Sequence, residues 1–189
     1  MQKLLLLAAL TLALPIIAQA QESPRAEIFG GYSYIRLDDN DVDEVDRDLN
    51  GFNVSTNVTV FKKWFGLKAD VSGHFGDSLV AFIPSTDVSH YLFLGGPQFS
   101  LRKNEKIQPF AHALAGMAYV KLSNELFPDA FTDTGFALAA GGGVDLKALS
   151  SRLSIRLLQA DYVLTRFDGV SSHNIRASAG IVLRFGKVE

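Results

Sequence analysis

Phe52-Asn53-Val54-Ser55-Thr56-Asn57-Val58-Thr59-Val60 alternates with a period of two. Phe52, Val54, Thr56, Val58 and Val60 fall on one face of an extended strand, and Asn53, Ser55, Asn57 and Thr59 fall on the other. One face suits an apolar medium and the other suits hydrogen-bonding partners. The same rhythm returns in segments of about 10 residues set between turn-forming residues, which is how strands that cross a membrane as a closed barrel are written.

Eight candidate strands follow, at roughly 25 to 37, 51 to 61, 65 to 76, 89 to 102, 107 to 122, 135 to 147, 153 to 165 and 174 to 185. The expected fold is all-β, an eight-stranded antiparallel up-and-down transmembrane barrel. Short connections around Lys62-Lys63-Trp64, Lys103 to Lys106 and Ala148 to Arg152 alternate with longer ones at about 38 to 50, 77 to 88, 123 to 134 and 166 to 173. Strict alternation gathers the short turns at one rim and the long loops at the other, as in barrels with short periplasmic turns and longer outside loops. An even strand count then puts both termini on the periplasmic side.

Lys68, Asp70, Ser72 and His74 oppose Leu67, Ala69, Val71, Gly73 and Phe75, and Arg176, Ser178, Gly180 and Arg184 oppose Ile175, Ala177, Ala179, Ile181, Leu183 and Phe185. With lipid outside, the charged face turns inward. Aromatic residues gather near strand ends: Phe65, Phe99 and Phe185 at the inner rim, and Phe52, Phe75, Tyr91, Tyr119 and Phe136 at the outer one. They predict two interfacial belts. In the seventh strand Arg156 cannot share a face with Gln159 and Asp161 under strict alternation, so a bulge is expected near Leu157 or Leu158. The fifth strand is apolar on both faces, and its orientation stays open.

The first twenty residues form a separate unit. Lys3, an apolar run from Leu4 to Ala18 and Ala18-Gln19-Ala20 have the layout of a secretory signal peptide cleaved after Ala20, leaving residues 21–189 as the barrel domain. That run falls short of the roughly 20 apolar residues of a helical span. Removing Lys3 from 18 Lys+Arg, with all 20 Asp+Glu retained, moves the formal charge from −2 to −3. A nucleic-acid binder is excluded on charge. The chain has no cysteine, so no disulfide staples it and no lipidated cysteine anchors it.

The segments Glu27 to Tyr34 (EIFGGYSY), Pro109 to His112 (PFAH), Gln159 to Phe167 (QADYVLTRF) and Ala179 to Phe185 (AGIVLRF) carry a resemblance that covers essentially the whole mature chain. It is to the bacterial outer-membrane β-barrel domain family of the OmpA transmembrane domain and OmpX. The resemblance implies an outer-membrane location in a Gram-negative bacterium, a monomer in contact with outer-membrane lipid, and insertion by the barrel-assembly machinery, for which Phe185 matches the usual terminal aromatic. Full-length OmpA-like proteins continue into a peptidoglycan-binding domain. This chain stops about four residues after its last strand, so no wall tether is expected.

Candidate chemistry is sparse. Lys68, Asp70, Asp145, Lys147, Arg156, Asp161, Arg176 and Arg184 form an expected inward charged set. An eight-stranded interior is just wide enough for side chains to fill, so they are read as a paired polar core without a wide pore, with a narrow pore as alternative. Asp38, Asp39, Asp41, Asp43, Glu44, Asp46 and Asp48 crowd the first loop against Arg47. Clustered carboxylates suit divalent cations, but the EF-hand spacing is missing and a solvated acidic loop is expected. Ser89-His90 and Ser172-His173 invite comparison with lipid-modifying barrel enzymes, yet neighbours in a strand point to opposite faces. Gly141 to Gly143 lack the context of a phosphate loop and are expected to admit an aromatic neighbour. No catalytic, cofactor or metal residue is assigned, and the expected role is structural or surface interaction through the outer loops. The rival is a soluble lipocalin-like periplasmic carrier, which would turn its apolar face inward. Mass spectrometry of protein purified from membranes should find Gln21 at its N-terminus; an intact Met1 end would remove the leader assignment.

Overall fold

The computed structural model describes residues 26–38, 47–61, 64–78, 86–101, 106–123, 131–150, 152–167 and 169–186. The expected leader and most of the acidic first loop lie outside the described residues. Eight strands form the wall: β1 (Ala26–Asp38), β2 (Arg47–Phe61), β3 (Phe65–Ser78), β4 (Thr86–Ser100), β5 (Ile107–Ser123), β6 (Phe131–Ser150), β7 (Leu153–Phe167) and β8 (Val170–Phe185). Each pairs antiparallel with the next, and β1 closes on β8. Closure is what lipid demands, since an open edge would leave backbone groups with no partner there.

Several strands run further toward the outer rim than the alternation predicts. β2 begins at Arg47 instead of 51, β6 covers Phe131–Ser150 instead of 135 to 147, and β7 and β8 run to within two residues of each other. The fourth expected long loop, 166 to 173, is therefore corrected to a hairpin. Arg166 faces Ser171 and Phe167 faces Val170, and Gly169 takes the left-handed φ of 91° that such a tight turn needs. Arg166, Ser171 and Ser172 look like loop residues in sequence, but beyond the hydrocarbon layer a ladder continues in water. There polar side chains suit a strand as well as a turn.

The faces sort as expected. Ile28, Val54, Leu67, Val71, Leu138, Ile155, Ile175, Ile181 and Leu183 are exposed on the outer wall, while Asn53, Ser55, Asn57, Lys68, Asp70, Arg176 and Arg184 are buried inside. The register of β7 against β8 slips between Arg156 and Gln159, with Leu157 and Leu158 both turned outward. This bulge lets Arg156, Gln159 and Asp161 all face the lumen. In β5 the open orientation resolves: Gln108, Phe110, His112, Leu114 and Ala118 point inward, and Ala111, Ala113, Ala115 and Met117 outward.

Both aromatic belts are present. Trp64 stacks on Phe99 at 5.7 Å and packs edge-on against Phe65 at 5.8 Å at the inner rim. At the outer rim Phe75 meets Phe52 at 6.4 Å and Tyr91 at 5.6 Å, and Tyr91 meets Tyr119 at 6.2 Å. Near the same level on the outer wall Tyr32 donates to Asn50, Tyr34 donates to Asp48, and Tyr162 bonds His173. Deleting Leu158 leaves Arg156, Gln159 and Asp161 two residues apart in turn, so unbroken alternation keeps all three in the lumen without the bulge. The urea midpoint of the compact, heat-modifiable gel band should therefore stay near that of wild type. A large fall would show that the bulge does more than place Arg156 on the inward face.

Candidate functional site

Among the described residues, the lumen is where polar side chains are concentrated away from water. Its hub is Arg176 on β8, fully buried. The guanidinium donates from Nε and Nη2 to Asp161 Oδ2 on β7, at 2.9 and 2.6 Å, and from Nη1 across the barrel to Asp70 Oδ1 on β3 at 2.8 Å and to Ser72 Oγ at 2.9 Å. Asn53 Nδ2 donates to the same Asp70 oxygen at 2.8 Å. Asp161 also accepts from Gln159 Nε2 and contacts His112 Nε2, both at 2.8 Å. Lys68 Nζ completes the group, 3.2 Å from Gln159 Oε1, 3.3 Å from Asp70 Oδ2 and 3.5 Å from His112 Nδ1.

A second cluster lies toward the inner rim. Arg156 grips Asp145 with two bonds, Nε to Oδ1 at 2.7 Å and Nη2 to Oδ2 at 3.1 Å, and gives Nη1 to Gln159 at 2.8 Å. Its guanidinium sits between the rings of Phe29 at 4.4 Å and Phe110 at 4.2 Å, a doubled cation–π contact. Arg184 Nε donates to Glu27 Oε1 at 3.1 Å, and Asn57 donates to the other Glu27 oxygen. Asn57 Oδ1, Gln98 Oε1, Gln108 Oε1, Ser154 Oγ and Arg184 Nη1 have no protein partner. Buried polar atoms of that kind call for water; these five lie toward the inner rim, while Asn53 Oδ1, His74 Nδ1 and His90 Nδ1 are unpartnered further outward.

Among the described residues the buried charges balance: Lys68, Arg156, Arg176 and Arg184 against Glu27, Asp70, Asp145 and Asp161. In low dielectric that balance matters more than any single pair. The sequence names seven of these eight residues. Glu27 escapes it, although Glu27, Phe29, Ser33 and Ile35 share one face of β1 and that alternation signals it. Lys147 belongs to the expected set, but its side chain lies outside the described residues.

The expected polar core occupies the inner part of the lumen, and an apolar cluster adds to it. Toward the outer rim Ile35, Leu49, Val88, Leu92, Leu94, Leu114, Ala118, Ala137, Ala139 and Val163 form a buried apolar cluster, with Leu37 and Phe167 against it. The sequence conceals this cap because these residues alternate with equally apolar lipid-facing ones. The glycines of β6 have a packing role: a Cβ on Gly141 would stand 2.3 Å from Asp161 Oδ1, and one on Gly143 would stand 2.8 Å from the ring of Phe110. The aromatic neighbour is as expected, and the room made for the Asp161 carboxylate is an addition. His90 is buried in the lumen while Ser89 lies on the other face, and His173 is on the outer wall opposite the face of Ser172, so neither Ser-His pair makes contact. No group of three potential metal ligands occurs among the described residues.

With this geometry in hand, the sequence matches the model of the outer membrane protein beta-barrel domain over residues 4–185. The chain belongs to that family. Solved structures of similar fold include Ail, the attachment invasion locus protein of Yersinia pestis, at 21% identity and a TM-score of 0.58, covering 86% of this chain and 100% of Ail. Neisserial surface protein A gives 14% identity and a TM-score of 0.65, over 85% of this chain and 97% of that one. OprG of Pseudomonas aeruginosa gives 12% identity and a TM-score of 0.55, over 89% and 99%. No curated protein matches the sequence. The family settles the architecture as an integral outer-membrane barrel, and the soluble carrier falls with it, since the continuous apolar wall faces outward.

Removing one partner of a buried pair strands the other, typically at about 3–5 kcal/mol. Asp161→Ala should therefore destabilise the barrel by that order, because Arg176, His112 and Gln159 all lose a partner, and Asp161→Asn should cost less. Urea titration followed by the heat-modifiable gel shift reads the effect. Equal midpoints for wild type and Asp161→Ala would rule out a packed ionic core.

Proposed function

We propose that this protein works at the cell surface through its outer loops, on a barrel whose interior serves stability and not catalysis or conduction. The observation that carries this is the filled lumen: the inward side chains bond to one another or pack in the apolar cap, leaving the loops as the free surface. The separation of Ser89 from His90 and of Ser172 from His173 supports a non-enzymatic role. Kinship with the OmpA transmembrane domain and OmpX, a leader removed after Ala20 in a Gram-negative cell, assembly by the barrel-insertion machinery and a monomer in outer-membrane lipid complete the proposal.

The chemistry of the first loop indicates the partner. Ail was crystallised with a heparin analogue, sucrose octasulfate. Here seven carboxylates between Asp38 and Asp48 oppose one arginine. Such a loop repels a sulfated polyanion and attracts a basic protein surface, and its field raises the association rate at low salt.

An epitope inserted between Asp38 and Asn50 should be labelled on intact cells, and the same epitope between Lys103 and Lys106 only after the outer membrane is opened. In neutral-lipid nanodiscs the protein should bind a lysine-rich peptide with an affinity that falls as salt rises. Converting Asp39, Asp41, Asp43 and Asp46 to Asn should abolish that binding. Labelling of the second site alone on intact cells would invert the barrel and end the surface proposal, and unchanged peptide binding by the amide variant would end the partner assignment.

A further inference from the structure

His74 on β3 and His90 on β4 stand directly opposite each other in register, and both are buried, at 0% and 2% exposure. Their rings are 6.3 Å apart at a 37° angle. Neither takes part in the ion-pair network around Arg176. His74 Nε2 is 2.9 Å from Ser33 Oγ, which is itself 2.9 Å from Ser178 Oγ. On both histidines Nδ1 has no hydrogen-bond partner.

The serine pair admits two tautomers of His74, because a hydroxyl has one proton. If Ser178 donates to Ser33 and Ser33 to His74, the ring proton sits on Nδ1, beside the backbone of His90. If His74 Nε2–H donates to Ser33, Ser33 donates to Ser178 and Nδ1 is left as a bare lone pair, the form that a cation at Nδ1 would select. A histidine whose far nitrogen is held by a hydrogen bond while the near one is free has the usual arrangement of a metal ligand.

We propose that His74 and His90 form a two-nitrogen site for a soft monovalent metal ion, Cu(I) or its analogue Ag(I). Imidazole is a good copper ligand, and two ligands alone suit an ion content with linear coordination. Val88 and Leu92 flank His90 along β4 and are 3% and 0% exposed, so the walls beside it offer no water to complete the shell of a divalent ion. The nearby Arg176 is neutralised by Asp70 and Asp161, and the described lumen charges cancel, which disfavours adding a second positive charge more than adding one. The 6.3 Å centroid separation leaves about 4 Å between one nitrogen of each ring once the two rings rotate to face each other, the span of two metal–imidazole bonds of about 2 Å.

The test titrates the full-length barrel, folded in detergent, with silver nitrate alone, and measures retained metal after desalting together with histidine nitrogen NMR shifts. One equivalent should remain, with the Nδ1 resonances of His74 and His90 moving and those of His112 and His173 unmoved. His74→Ala and His90→Ala should each weaken retention at least tenfold, with His173→Ala equal to wild type; Ser33→Ala should weaken it less. No retained silver, shifts confined to His112 or His173, tighter binding of Zn(II) than of Ag(I), or full retention by folded His74→Ala or His90→Ala would each overturn the site. If the alanine variants lose the heat-modifiable band, the wild-type shifts alone decide.

Discussion

Arg176 holds the barrel across its width. From β8 it reaches Asp161 on the neighbouring strand and Asp70 on β3, on the other side of the lumen. Burying a guanidinium costs several kcal/mol unless its donors find partners, and here Nε, Nη1 and Nη2 all do. The surrounding residues make sense in this light. Asn53, Gln159, His112 and Lys68 fix the two carboxylates, Gly141 leaves room for one of them, and the β7 bulge brings Gln159 and Asp161 onto the same face as Arg156. A side chain that needs partners from two other strands ties three strands together and specifies their relative rotation and register more tightly than apolar packing would.

The interior is divided along its axis, and the division governs what can pass. The inner part is polar and ionic, with unpartnered groups that suit water, while the outer part is closed by the cluster around Leu92, Leu114 and Val163. A hydrated ion travelling outward would have to part bidentate ion pairs and then enter a dry constriction, and apolar constrictions close by dewetting. Both stand in the path of such an ion, and together they hold the barrel at one end by charge and at the other by packing.

What the sequence reveals follows from contrast between the two faces of a strand. β3 and β8 put charge against aliphatic residues, so their faces, their inward cations and their partners are legible from alternation alone. The β7 bulge is legible for the same reason, because three polar residues that must go inward cannot do so without it. β5 has no contrast: Leu114 and Ala118 serve the apolar cap while Ala113 and Met117 serve the lipid, and both environments select the same residue types. The cap was hidden by that equivalence. The hairpin at Gly169 was hidden by the opposite one, since water surrounds both a loop and the part of a strand that rises above the hydrocarbon layer. His74 and His90 fall on the predicted inward face, but that they stand opposite each other is a property of register, which alternation does not encode.

Charge distribution joins the interior to the surface. The described lumen charges cancel, four against four, whereas the whole chain carries a formal −2. The excess therefore resides outside this network, and its densest source is the stretch from Asp38 to Asp48 at the outer end of β1 and β2. A neutral core adds little to the far field, so what an approaching molecule senses is set chiefly by the loops. Selection on surface charge can then proceed without disturbing the ion pairs that hold the wall together. The separation runs both ways: a substitution among Asp39, Asp41 or Asp43 changes the surface charge and leaves Arg176 paired, while one at Asp70 or Asp161 loosens the barrel and leaves the surface field nearly as it was.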